Sequence, residues 1–335
     1  MSPLVRAASL TNYKEVACSV GLDPDHMLRS AGLNPSVLHE PDLMIPGECV
    51  GRLLHMSASR ADIESFGLRM AEHRFLSNLG AVGLLIRDQP TLRDSLHVLM
   101  RYQALLNGSL SLALEEYDDL AILREAGIVG KTQNYTRQRV ELALGVMVRM
   151  IRQLVGPHWH PKKVCFEHSA PKDPGTHIRF FGKNIEFNAD LNCIVCTQKD
   201  LDTPNHSADP AMVRYAQQLL DQTITPHHTT TIDEVRRTVM LLLPSGRCSV
   251  EQVAAHLGVV PRTVQRRLAE NGHSFSAIVN DIRKELAQRY VRESERPMTE
   301  IAALLGFSAL SVFSRWYQSQ FGCSAKSHRA TEHTQ

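Results

Sequence analysis

A chain of 335 residues exceeds one typical domain, so two domains are the default. Its net charge of only +2 hides an asymmetry: residues 236–335 hold 14 lysines and arginines against 8 acids, which leaves an acidic body and a basic C-terminal third. That third points to a polyanionic partner, while the lack of a membrane-length apolar run and of a basic-then-apolar start argues against a membrane or secreted protein and for the cytoplasm.

In chain order, apolar spacing predicts helices over about 3–30, 46–59 and 61–75, then Ala81–Leu85 and a longer Thr91–Leu106. Leu110–Glu116 and Leu120–Glu125 flank Asp118-Asp119 and read as two strands around a tight turn. Tyr135–Val155 follows as a helix with Val140, Leu144, Met147, Ile151 and Leu154 on its apolar side, either a core helix or a surface for a second copy. Lys163–Glu167, His177–Phe181 and Ile185–Phe187 are expected to complete an antiparallel sheet. The whole, residues 1–222, makes an α+β domain with helices on one side of the sheet and room for a small pocket. Tyr102, Arg137, His168 and His177 are the candidate ligand groups, with the arginine fork best suited to a carboxylate of an organic or amino acid effector. Each of the four is also explicable as an ordinary exposed or partly buried residue.

Cys193-Ile-Val-Cys196 has metal-like spacing, with Cys165 upstream and several nearby histidines, so a redox or zinc response is one reading. The other is an apolar strand with structural thiols, favoured because no second close cysteine pair completes a four-ligand set. No metal or cofactor is expected.

A polar, threonine-rich stretch, Thr223-Ile-Thr-Pro-His-His-Thr-Thr-Thr231, separates the helix Met212–Leu220 from Asp233–Leu243 and places a linker at 223–232. Two segments then repeat one helix-turn-helix pattern about 48 residues apart. The first runs from Ser249 to Gly258 and on through Pro261-Arg-Thr-Val-Gln-Arg-Arg-Leu268. Val250, Val253, Ala254 and Leu257 turn inward, Gly258 stops the helix, and Pro261 opens the next. Val264 and Leu268 face the core, which leaves Arg262, Gln265 and Arg266 for base edges. In the second, Met298-Thr-Glu-Ile-Ala-Ala-Leu-Leu-Gly-Phe307 precedes a helix whose buried side is Val312, Phe313, Trp316 and Tyr317 and whose exposed candidates are Leu310, Ser311, Ser314 and Arg315. Between the pairs, Ile278, Ile282, Leu286, Ala287, Tyr290 and Val291 fit one connecting helix; on the bland reading these are ordinary core helices whose outer face Arg283 or Arg289 merely solvates or salt-bridges.

Residues 233–329 resemble the AraC-type (AraC/XylS) DNA-binding domain of bacterial transcription regulators. Val259-Val-Pro-Arg-Thr-Val-Gln-Arg-Arg-Leu268, Ile301-Ala-Ala-Leu-Leu-Gly-Phe307 and Phe313-Ser-Arg-Trp-Tyr317 with Phe321-Gly322 carry the likeness. It implies an all-α domain of two helix-turn-helix units joined by a long helix, with Arg262, Gln265 and Arg266 entering the major groove and the second set less constant. Residues 15–215 resemble the arabinose-binding-like sensor domain of one branch, through Gly21-Leu22, Ala31-Gly32-Leu33, Phe66-Gly-Leu68, Leu79-Gly-Ala-Val-Gly-Leu84, Leu201-Asp202 and Ala208-Asp-Pro210. That implies an effector-responsive activator or repressor bound to double-stranded promoter DNA, working with RNA polymerase where it activates, and a homodimer in many members. The chain departs from the pattern after Gly322, where Ser324-Ala325 and His328-Arg329 replace a serine-proline and an aromatic-arginine pair, so a shorter or looser last helix before a polar tail at 330–335 is expected.

The different-class alternatives are an enzyme and a non-catalytic helical interaction module. The sequence lacks a phosphate-cradling glycine-lysine loop, His-Glu-x-x-His, Gly-x-Ser-x-Gly and a dinucleotide fingerprint, and Pro157-His-Trp-His160 has no oriented nucleophile beside it.

Overall fold

The computed structural model describes residues 3–127, 137–223, 231–243, 248–257, 259–293 and 296–332. Two compact units make up these residues, one within 3–223 and one within 231–332. Most of the expected linker, 224–230, lies outside the described residues, and its flanks Thr223, Thr231 and Ile232 are helical.

The N-terminal unit is mixed α+β. It opens with β1 (Leu4–Arg6), α1 (Tyr13–Ser19) and α2 (Pro24–Ser30), then β2 (Met44–Pro46), which pairs antiparallel with β1. The single helix expected over 3–30 is thus broken. Asn12 takes φ 65° and Gly21 φ 76°, and Asp23 restarts the chain by accepting the amides of Asp25 and His26 ahead of Pro24. Next come α3 (Gly47–Ala61), ended by Asp62 at φ 51°, and α4 (Phe66–Ala71), which is much shorter than the helix expected at 61–75. α5 (Ala81–Arg87) and α6 (Leu92–Leu106) follow, the latter capped by Thr91. β3 (Leu110–Glu116) and β4 (Leu120–Gly127) form the expected hairpin, closed by the Tyr117 N–H on the Leu120 carbonyl at 2.8 Å.

The remaining elements are α7 (Arg137–Val155), β5 (Lys163–Cys165), α8 (Gly175–Phe181), β6 (Ile185–Glu186), β7 (Asn192–Thr197), α9 (Gln198–Leu201) and α10 (Pro210–Thr223). The main sheet runs β3-β4-β7-β5-β6. Two expectations change here. His177–Phe181 is a helix and not a strand: its buried residues, His177, Phe180 and Phe181, follow a spacing of three and four, and Asp173 accepts the Gly175 amide at its start. The sheet is also not wholly antiparallel, because β5 and β6 run parallel.

Alternation along β4 and β7 turns Ala121, Leu123, Ile194 and Cys196 into the main core, while Ile122, Val195 and Cys193 join Cys165 on the other face. Cys193 and Cys196, three apart in a strand, therefore point to opposite faces, which removes the pairing the sequence suggested. The thiol opposite Cys193 is Cys165. Contact with Cys165 and burial raise the Cys193 thiol, and burial pushes Cys196 up to about 12. Among the described residues no group of three or more acidic, histidine or cysteine side chains is placed to hold a metal.

α7 packs against α3, α4, α6, α8, β4 and β7, and its buried residues occupy nearly its whole circumference. It is a core helix, which rules out the alternative of a free surface for a second copy. Its approach to α4 needs glycine: a Cβ on Gly67 would stand 2.0 Å from the Gln138 carbonyl oxygen, and one on Gly145 would stand 2.6 Å from the Ala71 Cβ. Gln138 locks the crossing, its Oε1 accepting the Gly67 N–H at 2.8 Å and its Nε2 donating to the Glu64 carbonyl at 2.7 Å.

The second unit is mostly helical: α11 (Thr231–Leu242), α12 (Val250–His256), α13 (Pro261–Glu270), α14 (Phe275–Glu293), α15 (Met298–Leu304), α16 (Leu310–Phe321) and α17 (Ala325–Glu332). The helical pairs α12–α13 and α15–α16 flank the 19-residue α14, and Arg236 of α11 pairs with Glu285 of α14 at 2.7 Å. α17 takes in Ala330–Glu332 of the expected tail. No described helix is long and apolar enough to cross a membrane.

The α4–α7 crossing yields a direct test. Gly67→Ala should cost about 3 kcal/mol or more, because backbone and not a side-chain end must move. Gly51→Ala, whose new methyl meets only the Arg139 side chain at 3.0 Å, should cost less than about 1 kcal/mol. Urea unfolding of the full chain measures both; equal costs would mean that the crossing relaxes.

Candidate nucleic-acid interface and sensor cavity

The basic face of the C-terminal unit is built on α13. Ser249 opens α12 by accepting the Gln252 amide at 3.3 Å, and the following turn returns the Val259 N–H to the Ala254 carbonyl at 2.9 Å. Pro261 then sits in the first turn of α13, where a missing N–H costs nothing. Val264 and Leu268 are buried, whereas Arg262, Gln265 and Arg266 are all exposed. Arg266 lies 3.7 Å from Glu270, an exposed pair too weak to hold its guanidinium from another partner. Gly258 lies outside the described residues.

α16 is held by contacts the sequence did not reveal. Arg283 of α14 does not merely solvate: its Nε donates to the Leu305 carbonyl at 2.9 Å and its Nη2 to Gly306 at 3.2 Å, so it caps the end of α15. The same guanidinium lies 4.7 Å from the centroid of Phe307, and burial lowers its pKa. Trp316 Nε1 donates to Asn280 Oδ1 at 2.8 Å. These ties leave Leu310, Ser311, Ser314 and Arg315 exposed on α16. Val312, expected among the buried residues, is exposed as well, because Phe313 and Tyr317, four apart, set the inward side. The unusual ending does not loosen the last helix. His328 Nδ1 lies 2.8 Å from the Tyr317 hydroxyl, and Arg329 donates to the carbonyls of Val291 at 3.0 Å and Arg296 at 2.8 Å.

The N-terminal unit contains a cavity of about 150 Å³. Leu142, Val146 and Met150 of α7 run along it as one helical stripe, faced by Leu54, Leu99 and Leu106 from α3 and α6. Arg6, Arg74, Asn78, Gln103, Glu125 and Arg139 bring polar groups to the wall. Arg74 is buried at 4% exposure, and its Nη1 and Nη2 donate to the carbonyls of Ala8 at 2.5 Å and Ser9 at 2.6 Å. Sequence periodicity gave no sign of it, since it lies in a connection between helices.

None of the four residues expected to meet a ligand lines this cavity. The Tyr102 hydroxyl and the Gln217 side-chain amide lie 2.7 Å apart. The other three meet elsewhere, around Glu141, which is fully buried: Arg137 Nε and His177 Nε2 each lie 2.8 Å from its Oε1, and His168 Nε2 lies 3.5 Å away. Arg137 also donates to Glu64 at 3.1 Å, and Phe166 and Phe187 pack on both imidazoles. Burial, outweighing the attraction of Glu141, pushes His168 down to about 4. Glu141 Oε2, Arg137 Nη2, His168 Nε2 and His177 Nδ1 are buried there without a hydrogen-bond partner among the described residues, so the cluster keeps unused polar capacity.

Residues 21–205 match the family described as the arabinose-binding domain of AraC transcription regulators, N-terminal, and residues 253–331 match a helix-turn-helix domain family. The chain belongs to the AraC-type transcription regulators. It is 29% identical over 336 residues to the HTH-type transcriptional regulator VirS of Mycobacterium tuberculosis, covering 98% of this chain and 97% of VirS. An ornithine utilization regulator of Pseudomonas aeruginosa is 23% identical over 326 residues, covering 95% of this chain and 94% of that protein. The crystal structure of the transcriptional regulator CdpR from Pseudomonas aeruginosa aligns with a TM-score of 0.45 at 18% identity, over 91% of this chain and 96% of CdpR. An AraC-type chain is a non-catalytic, sequence-specific DNA-binding regulator of transcription, so both different-class alternatives fall away.

The burial of His168 predicts that the N-terminal domain of this regulator loses stability in acid. With a folded pKa of about 4 against 6.5, His168 is neutral when folded and takes a proton when unfolded, so stability is full above pH 6.5 and falls between pH 6.5 and 4. The loss reaches about 3 kcal/mol at the lower end. Urea unfolding of wild type and His168→Gln between pH 7 and 4.5 should show the smaller decline in the variant; parallel declines would place the proton on another group.

Proposed function

We propose that both helix pairs of the C-terminal unit read promoter DNA from the two ends of α14, and that a small organic effector in the N-terminal cavity controls how tightly they hold it. The first half of this reading is carried by α13. Two arginines and a glutamine project from the side opposite Val264 and Leu268, and guanidinium and amide forks are the groups that discriminate guanine and adenine in the major groove. α16 offers Leu310, Ser311, Ser314 and Arg315, a set with fewer forked donors, which suits shape and phosphate contacts. At 1.5 Å per residue, the 19 residues of α14 make a strut about 28 Å long, in keeping with heads set one DNA turn of about 34–36 Å apart. The second half is carried by the partly open, largely apolar cavity in a domain whose family is not catalytic. For control, the effector must bind the DNA-competent and incompetent states unequally.

Base-reading arginines have a distinct signature. Arg262→Ala and Arg266→Ala should each lose about 1–3 kcal/mol of preference for the regulator's own operator over a scrambled duplex. Arg315→Ala should weaken binding to both duplexes alike and reduce the salt dependence. Gel retention at two salt concentrations separates these outcomes, and a larger operator-specific loss from Arg315→Ala would reverse the assignment of the two heads.

A further inference from the structure

The cavity contains an electrostatic imbalance that narrows what it can hold. Arg74 is 4% exposed, and its two terminal nitrogens bond backbone carbonyls, which are neutral acceptors. Its Nε has no acceptor, and among the described residues no carboxylate lies within ion-pair distance of it. Burial alone pulls this guanidinium down to about 10. On the same wall Arg6 is compensated by Asp42, and Arg139 and Glu125 bring one charge of each sign, so the net positive charge of the lining is the one at Arg74. A buried cation without a counter-charge is costly, and an anion that reached it would offset part of that cost.

The rest of the wall sets the form of that anion. Leu142, Val146 and Met150 line one side at intervals of four residues, so the apolar surface is a stripe along α7 and not a patch. A cavity of about 150 Å³ suits a body of benzene size or a short alkyl chain. A doubly charged phosphate would bring one negative charge more than Arg74 neutralises, and an amine would add a second positive charge to the imbalance.

We propose that this cavity binds a small monocarboxylate with an apolar body, its carboxylate beside Arg74 and its body along Leu142, Val146 and Met150. The assignment rests on the reading of the cavity as the effector site, and it makes Arg74 the residue that selects acids over neutral isosteres.

The test uses the full chain with phenylacetate and octanoate as probes and their amides, phenylacetamide and octanamide, as isosteric controls, followed by calorimetry. At least one acid should bind roughly tenfold or more tightly than its amide, the size of effect expected for a buried charge-assisted hydrogen bond. Arg74→Gln should abolish that preference and Arg74→Lys should keep part of it. Ala143→Phe, which fills the cavity and leaves Arg74 in place, should weaken acid binding by a similar factor. Should Arg74→Gln fail to fold, the acid-to-amide ratio of the wild type and the effect of Ala143→Phe decide. Equal affinity for acid and amide, an undiminished preference in Arg74→Gln, or no binding of either acid at millimolar concentration would overturn the proposal. Gel retention of operator DNA with each binding acid separates the two readings: Arg74-dependent acid binding that leaves DNA retention and transcription unchanged supports the cavity assignment and removes effector control alone.

Discussion

The N-terminal domain is organised by the distance between two helices. α7 can lie against α4 only because Gly67 and Gly145 present no side chains at the crossing, and Gln138 ties both sides of it with its amide. Once α7 is fixed, its several faces have their neighbours decided. One face carries Leu142, Val146 and Met150 into the cavity, and another brings Glu141 to Arg137 and the two imidazoles. A third packs on β4 and β7. A displacement of α7 by the width of one methyl group would therefore disturb the cavity, the buried ionic cluster and the sheet packing together, since close-packed interiors transmit strain.

The DNA-binding unit solves a different problem, that of holding short helices still. α12 and α15 have seven residues each, far below the length at which helices persist alone, so their ends must be satisfied by tertiary partners. Ser249 does this at the start of α12 and Arg283 at the end of α15. α14 supplies Arg283, Asn280 and Glu285, and so sends polar side chains to α15, α16 and α11 in turn. The connecting helix is thus more than a spacer. It sets the position of each neighbour through a hydrogen bond with defined geometry, which apolar packing alone would leave looser.

How much of this was legible in the sequence follows from the range of the forces involved. The helices of the C-terminal unit and the exposed α13 triplet were readable because caps, proline at the first turn and four-residue spacing are local signals. The hairpin around Asp118-Asp119 was readable for the same reason. His177–Phe181 was misread because adjacent phenylalanines suit a strand, while the three- and four-residue spacing of its buried side emerges only once the neighbours are known. Cys193 and Cys196 looked like a pair by number and are divided by strand alternation, and the true neighbour, Cys165, is set by register between distant strands. The cavity was invisible in detail because its wall is drawn from residues between 5 and 150 that share no motif.

The two buried ionic features of the N-terminal domain are set by surroundings that the sequence did not show. Arg137, His168 and His177, expected as ligand groups, converge on the buried carboxylate of Glu141. Arg74 had no distinguishing neighbour in sequence, and its burial is balanced by backbone carbonyls. A buried ionic cluster is costly to break because removing one member strands the others, whereas an uncompensated cation keeps part of its desolvation cost until an anion is supplied. The first arrangement favours one structure, and the second creates a difference in free energy between empty and filled states. A site of the second kind would convert the concentration of a small acid into a change of domain stability, provided that the acid binds the folded chain in preference to the unfolded one.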